Sequence, residues 1–441
     1  MNIISIPYTH NITEPFETFS EDPCAILLES AGQHKAAQFS FFTSTPSHTI
    51  DSHIQGINSQ AGQEQLRELK QQLNHALSKN NNTSSLPFSC GWIGYAHYEF
   101  GQARIVHNEN TANFWAGFYE WAAIFDHTQH TAQLIYLDTL DKSLLKTITQ
   151  KLAQPITKTS ETFTCSSFTQ LTSKVKYETD FSRIQHYLDS GDCYQINYAQ
   201  PYQANFTGDT FEAYKQLSRA VPSPFMAFIN QKEHSILSIS PERLLQVKQS
   251  SMRSSPIKGT EKRSSNLTED QYLASKLKAS DKNRAENLMI VDLIRNDLSK
   301  HAQLGSVKVP ELFTIESFSN VHHLVSHIDA KLNKDSDAFD VFFDAFPGGS
   351  ITGAPKIRAM EIINELEQQE RGIYCGSIFY ASCNQQFDSN IAIRTLYCNK
   401  MSHTITAWAG GGIVKDSNVE DEYQECKNKI DKLLRAITSE Q

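Results

Sequence analysis

Carboxylates on two helical segments of the sequence could together hold a divalent cation. In the first segment, RAENLMIVDLIRNDLSK (284–300), Glu286 and Ile290 share one side of a helix at 100° per residue, beside an apolar line. Glu286 therefore lies at the buried edge near the helix N-terminus, where the helix dipole favours an anion. A capping glutamate is the alternative, and the spacing does not choose between the two.

The second of these segments is the C-terminal helix, EDEYQECKNKIDKLLRAI (420–437). Glu422, Glu425 and Lys429 form a polar line beside its packing stripe. A solvated face is the usual meaning of such a line. Carboxylates from two helices would nevertheless suit Mg²⁺, which takes one or two carboxylates and keeps positions for substrate oxygens.

A lysine and a glutamate lie in two short strand-like segments. Lys258 belongs to SSPIKGT (254–260), and Glu242 ends the apolar strand SISPERLL (238–245). A lone lysine is usually a solvated surface group. The tight apolar turn Pro-Ile-Lys-Gly argues instead for a lysine with a functional role, because it places the side chain away from a polar face. The spacing alone leaves the surface and the functional interpretation open.

Two glycine-rich segments could offer backbone N–H groups to an anion. FPGGSITGAPKIRAMEIINELE (346–367) has the glycine spacing of a phosphate loop, but an Ala-Pro pair replaces the required Lys-Ser/Thr, which excludes that motif. Its glycines still lead into a helix N-terminus, and Lys356 adds a full positive charge there. In WAGGGIV (408–414), three glycines end a strand and indicate a bulge or a close backbone approach.

Arg394 lies in the strand-like segment NIAIRTLY (390–397) and shares a face with Ala392 and Leu396. A buried arginine needs a partner, and a carboxylate bound through two hydrogen bonds is the best one. A substrate carboxylate and a structural salt bridge fit the spacing equally well.

The overall charge limits the class of partner. The 441 residues include 40 Lys and Arg against 49 Asp and Glu, a net charge of −9, which argues against nucleic acid. A small anionic substrate would have to be bound by local groups that attract an anion, because the overall charge of the protein repels it. The N-terminus has no signal-peptide pattern, no window approaches 18 apolar residues, and the eight cysteines show no metal-ligand spacing, so we expect a reduced, cytoplasmic protein.

The patterning divides the chain into two regions. Residues 1–160 read as strands and turns with one polar helix, and a Ser/Thr/Lys-rich stretch (153–176) suits a surface crossing. From residue 177 to 441 the segments are longer, and most of the candidate catalytic and ligand-binding residues lie there.

Together these segments resemble the chorismate-utilising enzymes, the family of anthranilate, aminodeoxychorismate, isochorismate and salicylate synthases. The motifs ENLMIVDLIRNDLS, GGSITGAPK and GGGIV occur in the family's order, and the resemblance extends from PFSCGWIGYAHYEFG (87–101) to the last helix. It implies an α+β fold of two stacked antiparallel sheets with helices outside, in which the two regions intertwine. LLES resembles the tryptophan-pocket motif of the amidotransferase-linked members, which implies a pocket at Leu28, Glu29 and Ser30.

Two positions favour one branch of this family. Lys258 matches a nucleophile of the para-aminobenzoate branch, where anthranilate synthases carry alanine. Asn197, in DCYQINYAQ (192–200), stands where isochorismate and salicylate synthases place a water-activating lysine. The resemblance therefore implies an aminodeoxychorismate synthase, serving para-aminobenzoate and folate synthesis. The alternatives are an anthranilate synthase, or a non-catalytic protein that binds tryptophan or chorismate for regulation.

The resemblance also implies a mechanism. Mg²⁺, held by Glu286 and by Glu422 or Glu425, grips the ring carboxylate of chorismate. Lys258 attacks C2 while Glu242 protonates the departing C4 hydroxyl, and ammonia then enters at C4 and expels the lysine. We therefore expect a lowered pKa for Lys258 and a raised pKa for Glu242.

Further site residues follow from the same resemblance: His323 and Asn197 as catalytic-site residues, and Ser350, Thr352, Lys356, Tyr380, Arg394, Gly411 and Gly412 as substrate-binding residues. No glutaminase motif occurs in the chain, so ammonia from glutamine is expected to come from a separate subunit in a heterodimer. Phe379 replaces a glycine usual in the family and Tyr198 a leucine, and both departures put the packing near the pocket in question.

Overall fold

The computed structural model describes residues 1–31, 38–54, 59–105, 112–154, 161–318 and 321–439. The boundary predicted at residue 160 lies outside the described residues. Within these ranges, no helix is both long and apolar enough to cross a membrane.

The strands, in chain order, are β1 (Asn2–Ile6), β2 (Ile26–Glu29), β3 (Phe39–Thr43), β4 (His48–Ile54), β5 (Gly91–Ala96), β6 (Ala112–Tyr119), β7 (Trp121–Asp126), β8 (Thr131–Tyr136), β9 (Thr164–Cys165), β10 (Thr169–Gln170), β11 (Gln195–Thr207), β12 (Phe225–Asn230), β13 (His234–Ser240), β14 (Arg243–Lys248), β15 (Ser251–Ser255), β16 (Ile257–Lys262), β17 (Lys308–Ser317), β18 (Val321–Lys331), β19 (Gly353–Ala354), β20 (Ser377–Ser382), β21 (Gln386–Asn390), β22 (Thr395–Asn399) and β23 (Thr404–Ile413).

The helices are α1 (Thr13–Glu17), α2 (Gln60–Lys79), α3 (Tyr98–Ile105), α4 (Lys142–Ala153), α5 (Lys174–Asp189), α6 (Thr210–Ala220), α7 (Leu267–Ala279), α8 (Asp281–Ser299), α9 (Ala338–Ala345), α10 (Lys356–Leu366) and α11 (Val419–Ile437). A single 3₁₀ turn, Gly349–Ile351, follows α9 within the described residues.

The described strands form two antiparallel sheets. The first has 13 strands, in the order β1-β8-β7-β3-β2-β12-β13-β22-β23-β11-β10, with β9 and β19 paired to β11. The second has 10 strands, in the order β16-β18-β15-β14-β21-β20-β5-β6-β4, with β17 paired to β18. The prediction of an α+β fold with two antiparallel sheets is confirmed.

Each sheet combines strands from both regions of the chain. The first contains β1–β3, β7 and β8 beside later strands, and the second contains β4–β6 beside β14–β18, β20 and β21. In the second sheet, for example, β5 pairs with β20, so that Tyr95 lies opposite Ile378. Neither region therefore holds a complete sheet of its own.

Apolar side chains fill the space between the sheets and the space beneath the helices. The largest cluster unites Ile236 of the first sheet with Trp92 and Phe379 of the second, all fully or almost fully buried. A second cluster packs Ile430 of α11 against Phe228 on the other side of the first sheet. The helices therefore cover the outside of the sandwich.

Two helices of this outer layer bring the predicted carboxylates to the sheets. Helix α8 packs on β16, β17 and β18, and its N-terminus is capped by Ser280, whose hydroxyl accepts from Asn283 N. Helix α11 packs on β23 and starts at Asn418, whose side chain accepts from Glu420 N and Asp421 N. Such caps satisfy backbone N–H groups that have no partner within the helix.

Candidate active site

Ser350 links the predicted nucleophile to the predicted acid. Its hydroxyl donates to Glu242 Oε1 at 2.8 Å, and its carbonyl accepts from Lys258 Nζ at 3.3 Å. Glu242 lies in the turn between β13 and β14, Lys258 lies on β16, and Ser350 lies in the 3₁₀ turn. Three segments that are distant in sequence thus meet at one serine.

The surroundings shift the pKa values of these two groups in opposite directions. Burial raises the pKa of Glu242 to about 7, although the Ser350 hydrogen bond and the Lys258 charge oppose the rise. Burial lowers the pKa of Lys258, while the carboxylates of Glu286 and Glu242 act against the decrease. Both directions agree with the expectation for an acid that holds its proton and an amine that loses one near neutral pH.

The predicted metal ligands converge on the same lysine. Glu286 of α8 and Glu425 of α11 both lie within electrostatic range of the Lys258 ammonium. Lys429 binds Glu425 Oε1 at 2.7 Å and donates to Gly410 O at 3.2 Å. Burial alone would raise the pKa of Glu425, but Lys429 lowers it.

Glu422 lies against the glycine-rich end of β23. Its side chain is buried, and the Ser417 hydroxyl donates to its Oε1 at 2.7 Å. A Cβ atom at Gly411 would lie 3.2 Å from Glu422 Oε2, so the glycine allows this carboxylate to approach the strand. Burial raises the pKa of Glu422, and the charge of Glu425 adds to the rise.

The carboxylates of Glu286, Glu422 and Glu425 suit an open Mg²⁺ site, in which water or substrate supplies the remaining ligands, and do not suit a site built from protein ligands alone. The described residues hold no group of three His, Cys, Asp or Glu side chains close enough to bind a metal alone. The carboxylates of Glu422 and Glu425 are nonetheless close enough to repel each other, and a bound cation would reduce this repulsion. Mg²⁺ usually takes one or two carboxylates, with water and substrate oxygens completing its shell.

Arg394 has a guanidinium for which the described part of the chain shows no hydrogen-bond or ion-pair partner. No carboxylate among the described residues pairs with it, and burial lowers its pKa without any opposing acidic neighbour. The backbone of Arg394 is in the left-handed region, with φ at 51°. An arginine without a carboxylate partner among the described residues favours the interpretation that it binds a carboxylate of the ligand.

Asn197 and Gln195 lie on the same face of β11, and both carry amide atoms without a partner among the described residues. Asn197 N donates to Thr352 O at 2.8 Å, while its Nδ2 is buried and unpaired. Both amide atoms of Gln195 are buried and unpaired, and a Cβ at Gly412 would lie 2.7 Å from its Nε2. Sequence reasoning missed Gln195, whose only signal is its place two residues before Asn197 on one strand face.

His323 lies on β18, directly opposite Thr260 of β16. Its Nδ1 is 2.8 Å from the Thr260 hydroxyl, and its ring packs edge-on against Phe318. The imidazole is buried, and Thr260 follows Lys258 by two residues on the same strand. His323 therefore belongs to the strand pair that carries the lysine.

A family model described as chorismate binding enzyme matches residues 23–435 of the sequence. The chain belongs to the chorismate-binding enzyme family. Among its relatives, aminodeoxychorismate synthase component 1 of Klebsiella aerogenes is 40% identical over 461 residues, covering 99% of each chain. The protein of the same name from Escherichia coli (strain K12) is 40% identical over 437 residues, covering 96% of this chain and 95% of its own. The crystal structure of anthranilate synthase component I from Streptococcus pneumoniae TIGR4 is 28% identical, with a TM-score of 0.78 and coverage of 92% and 95%.

Lys356 does not join the site in this member of the chorismate-binding family. Its Nζ lies 2.6 Å from Asp297 Oδ2 and donates to Ala345 O at 3.0 Å, and both members of this ion pair are buried. The prediction that Lys356 offers a charge to the substrate is corrected, because that charge is already neutralised by Asp297.

Tyr380 also lies elsewhere. Its ring contacts Phe41 edge-on with centroids 5.4 Å apart, and it lines a cavity of about 370 Å³ that also includes Leu28, Glu29 and Ser30. Alternate residues of β20 face opposite sides of the sheet, and Tyr380 is on the side that faces this cavity. The predicted substrate ligand therefore lines the predicted tryptophan pocket instead.

Tyr374 is the tyrosine that the structure brings near α11. Its ring stacks on Trp408 with centroids 5.9 Å apart, and it lies within electrostatic range of Cys426. Trp408 belongs to β23, two residues before the first of the three glycines. No sequence pattern marks Tyr374, which lies in a turn after α10.

The two departures from the family pattern concern packing. The Phe379 ring stacks on Phe387 in the core with centroids 5.8 Å apart. The Tyr198 hydroxyl donates to Asp180 of α5. Both side chains are buried in apolar clusters. The two departures therefore change the packing of the core and do not change the contact between Lys258 and Ser350.

Proposed function

We propose that the chain converts chorismate and ammonia to 4-amino-4-deoxychorismate. The observation that carries the proposal is the contact of Ser350 with both Lys258 and Glu242, whose pKa values shift in the directions that nucleophile and acid require. The relatives named above as aminodeoxychorismate synthase component 1 support the same reaction.

The chain's own residues divide the reaction between a nucleophile and an acid. Neutral Lys258 attacks C2 of the ring, the two conjugated ring double bonds shift, and the C4–oxygen bond breaks. Glu242 gives its proton to that oxygen, which leaves as water. Ammonia then adds at C4, the two double bonds shift back, and Lys258 leaves with its electron pair as the free amine, while the ammonium formed at C4 returns a proton to Glu242. The shared serine holds both groups in place for these steps.

Glu286, Glu422 and Glu425 would hold Mg²⁺, which when bound supplies positive charge at the ring carboxylate. These glutamates otherwise bring negative charge close to an anionic substrate, which would oppose binding. We expect that chelation of the metal with EDTA abolishes turnover and that added Mg²⁺ restores it. Glu286→Gln should raise the Mg²⁺ concentration needed for half-maximal rate, whereas the exposed Glu420→Gln on α11 should not.

Arg394, with the backbone of Gly411 and Gly412, is proposed to bind the side-chain carboxylate of chorismate. Gln195, Asn197, Ser350, Thr352 and Tyr374 complete the proposed pocket, and His323 is proposed to lie near the ring carboxylate. The guanidinium and the amides that lack partners among the described residues support this assignment, since buried polar groups without partners are rare in folded proteins.

Removing the Arg394 guanidinium should weaken substrate binding more than it slows chemistry. Because hydrogen bonds to a charged group contribute about 1.5–3 kcal/mol, Arg394→Gln should raise KM for chorismate roughly 10- to 100-fold. Initial rates over a range of chorismate concentrations measure this effect. Arg358→Gln, at a surface ion pair with Asp192, is the matched control and should leave KM unchanged.

Turnover separates an enzyme from a non-catalytic binding protein. The purified chain, incubated with chorismate, Mg²⁺ and ammonium chloride at alkaline pH, should consume chorismate only when both the metal and ammonium are present. Binding without consumption would favour the regulatory alternative.

We further propose that glutamine-derived ammonia comes from a separate glutaminase subunit in the cytoplasm. The name component 1 of the relatives supports a second component, and all eight cysteines are free, as suits a reducing compartment. Free ammonium should replace the partner in the assay.

The cavity beside β2 is proposed to bind tryptophan. It is lined by Leu28, Glu29 and Ser30 together with aromatic side chains such as Phe41 and Tyr380. A ligand at 100 times its Kd stabilises the folded state by about 2.7 kcal/mol, so saturating tryptophan should raise the melting temperature. Phenylalanine is the control ligand, and an unchanged melting temperature with tryptophan would contradict the assignment.

A further inference from the structure

A buried ion pair outside the proposed catalytic groups lies just after α10. Arg371 donates to Glu367 through both Nε and an Nη atom, at 2.8 and 2.7 Å. The side chains are only 1% and 4% exposed. Replacing a buried ion pair with apolar residues is often neutral or stabilising, so stability alone does not account for this one.

The remaining hydrogen bonds of the pair go to segments of the site. Arg371 donates to Ile351 O at 3.0 Å and to Asn197 O at 2.7 Å. Glu367 Oε1 accepts from Ala199 N at 2.9 Å. The pair therefore joins the 3₁₀ turn to β11, which carries the unpaired amides.

Ile351 directly follows Ser350, the residue that contacts both Glu242 and Lys258. A change in the position of the Ile351 carbonyl moves the neighbouring serine. The contacts thus form one continuous path from Arg371 through the 3₁₀ turn to both reacting groups.

We propose that Arg371 and Glu367 form a positioning pair that fixes the 3₁₀ turn so that Ser350 aligns the nucleophile with the acid. This inference rests on the proposed amination of chorismate. It assigns a role in the reaction to a pair that is not among the residues proposed to bind the substrate or the metal. Loosening the pair should slow the chemical step and leave substrate binding largely intact.

The pH profile gives a readout that a purely structural role would not change. The Ser350 hydroxyl stabilises the anionic form of Glu242, so losing that bond raises the pKa of Glu242 above about 7. The charged and titratable groups that face Glu242 among the described residues are Lys258 of β16, Cys375 before β20 and, around a small cavity, Arg243 of β14 and Asp297 of α8, and none of them is substituted. In an Arg371 variant the acid keeps its proton to higher pH, and the alkaline limb of kcat moves upward.

The experiment compares Arg371→Ala and Arg371→Lys with wild-type chain in the ammonium-dependent assay. Misplacement of reacting groups by about 1 Å can cost about 100-fold in rate, so we expect kcat to fall on the order of 10- to 100-fold with little change in KM. Arg371 and Glu367 line an open cavity of about 240 Å³, so guanidinium ion should enter Arg371→Ala and restore part of the rate. Arg358→Ala, at a surface ion pair of α10, is the matched control and should show neither the loss nor the rescue.

An unchanged kcat and pH profile in folded Arg371→Lys would overturn the inference. So would a loss in folded Arg371→Ala that guanidinium does not relieve. If Arg371→Ala does not fold, Arg371→Lys alone decides, because lysine cannot bind Glu367 and both carbonyls together.

A second readout does not depend on activity. Acetylation of Lys258, measured by peptide mass spectrometry against the exposed Lys262 of the same strand, reports its environment directly. In the Arg371 variants the relative rate should rise, because the ammonium loses its bond to Ser350 O. A wild-type chain that fails to aminate chorismate would refute the proposed function, whereas an unchanged acetylation ratio in the variants would refute the positioning role.

Discussion

Replacing Lys258 with alanine is expected to lower 4-amination of chorismate by about 10³-fold or more, since removing a nucleophile removes the covalent step itself. Lys258 is the amine whose pKa burial lowers, and it donates to Ser350 O beside the acid. Product formation under saturating ammonium, Mg²⁺ and chorismate measures the loss. Some amination at C2 can appear in the variant, because ammonia can then attack without the covalent intermediate.

Lys262→Ala is the matched control, because Lys262 lies on the same strand and faces solvent. Its rate should equal that of the wild-type chain. Undiminished 4-amination by Lys258→Ala would remove the covalent role of the lysine, while the metal and substrate assignments would stand.

Glu242→Gln is expected to reduce kcat by about 10²- to 10⁴-fold, the range typical of a lost general acid. Glutamine has nearly the same shape and keeps an acceptor for the Ser350 hydroxyl, so the variant removes the proton and leaves the packing. Because the pKa of Glu242 is raised to about 7, the carboxyl is protonated below that pH and anionic above it. The wild-type kcat, expressed per concentration of free ammonia, should therefore decrease as pH rises through about 7, and this limb should vanish in Glu242→Gln.

Glu233→Gln provides the control, since Glu233 lies in the exposed turn at the other end of β13. It should preserve both the rate and the pH profile. A Glu242→Gln variant with wild-type kcat would show that another group protonates the leaving hydroxyl.

The sheet architecture followed from the family motifs rather than from periodicity. Alternation of side chains can indicate a strand, but it does not say which strands pair when partners lie far apart in sequence. Arg243 of β14 lies opposite Asn390 of β21, and Gly91 of β5 lies opposite Ser382 of β20. No local sequence pattern indicates which of these distant strands pair with each other.

The lysine and its acidic neighbours were predictable because their segments carry the family's motifs. Lys258 and Glu242 meet at Ser350, and Glu286 and Glu425 lie within range of the lysine charge. The separation of Glu422 and Glu425 by three residues placed both on one side of α11. Helical periodicity was informative for these two predicted ligands because both lie on a single helix.

The errors concern residues whose partners come from elsewhere in the chain. Lys356 begins α10 next to the glycines, as predicted, but Asp297 of α8 neutralises it. Tyr380 and Tyr374 are six residues apart, and only the turn before β20 decides which of them reaches the β23 side. Gln195 was missed because an amide without a partner becomes visible only when its surroundings are known.

The position of the new amine on the ring tests the central claim most directly. Wild-type chain is incubated with chorismate, Mg²⁺ and ¹⁵N-ammonium chloride at alkaline pH, and the product is analysed by NMR spectroscopy. We predict 4-amino-4-deoxychorismate, with ¹⁵N bonded to C4 and the enolpyruvyl group retained. Anthranilate, with ¹⁵N at the adjacent ring position and the enolpyruvyl group lost, would contradict the proposed function and place the chain with the anthranilate synthases.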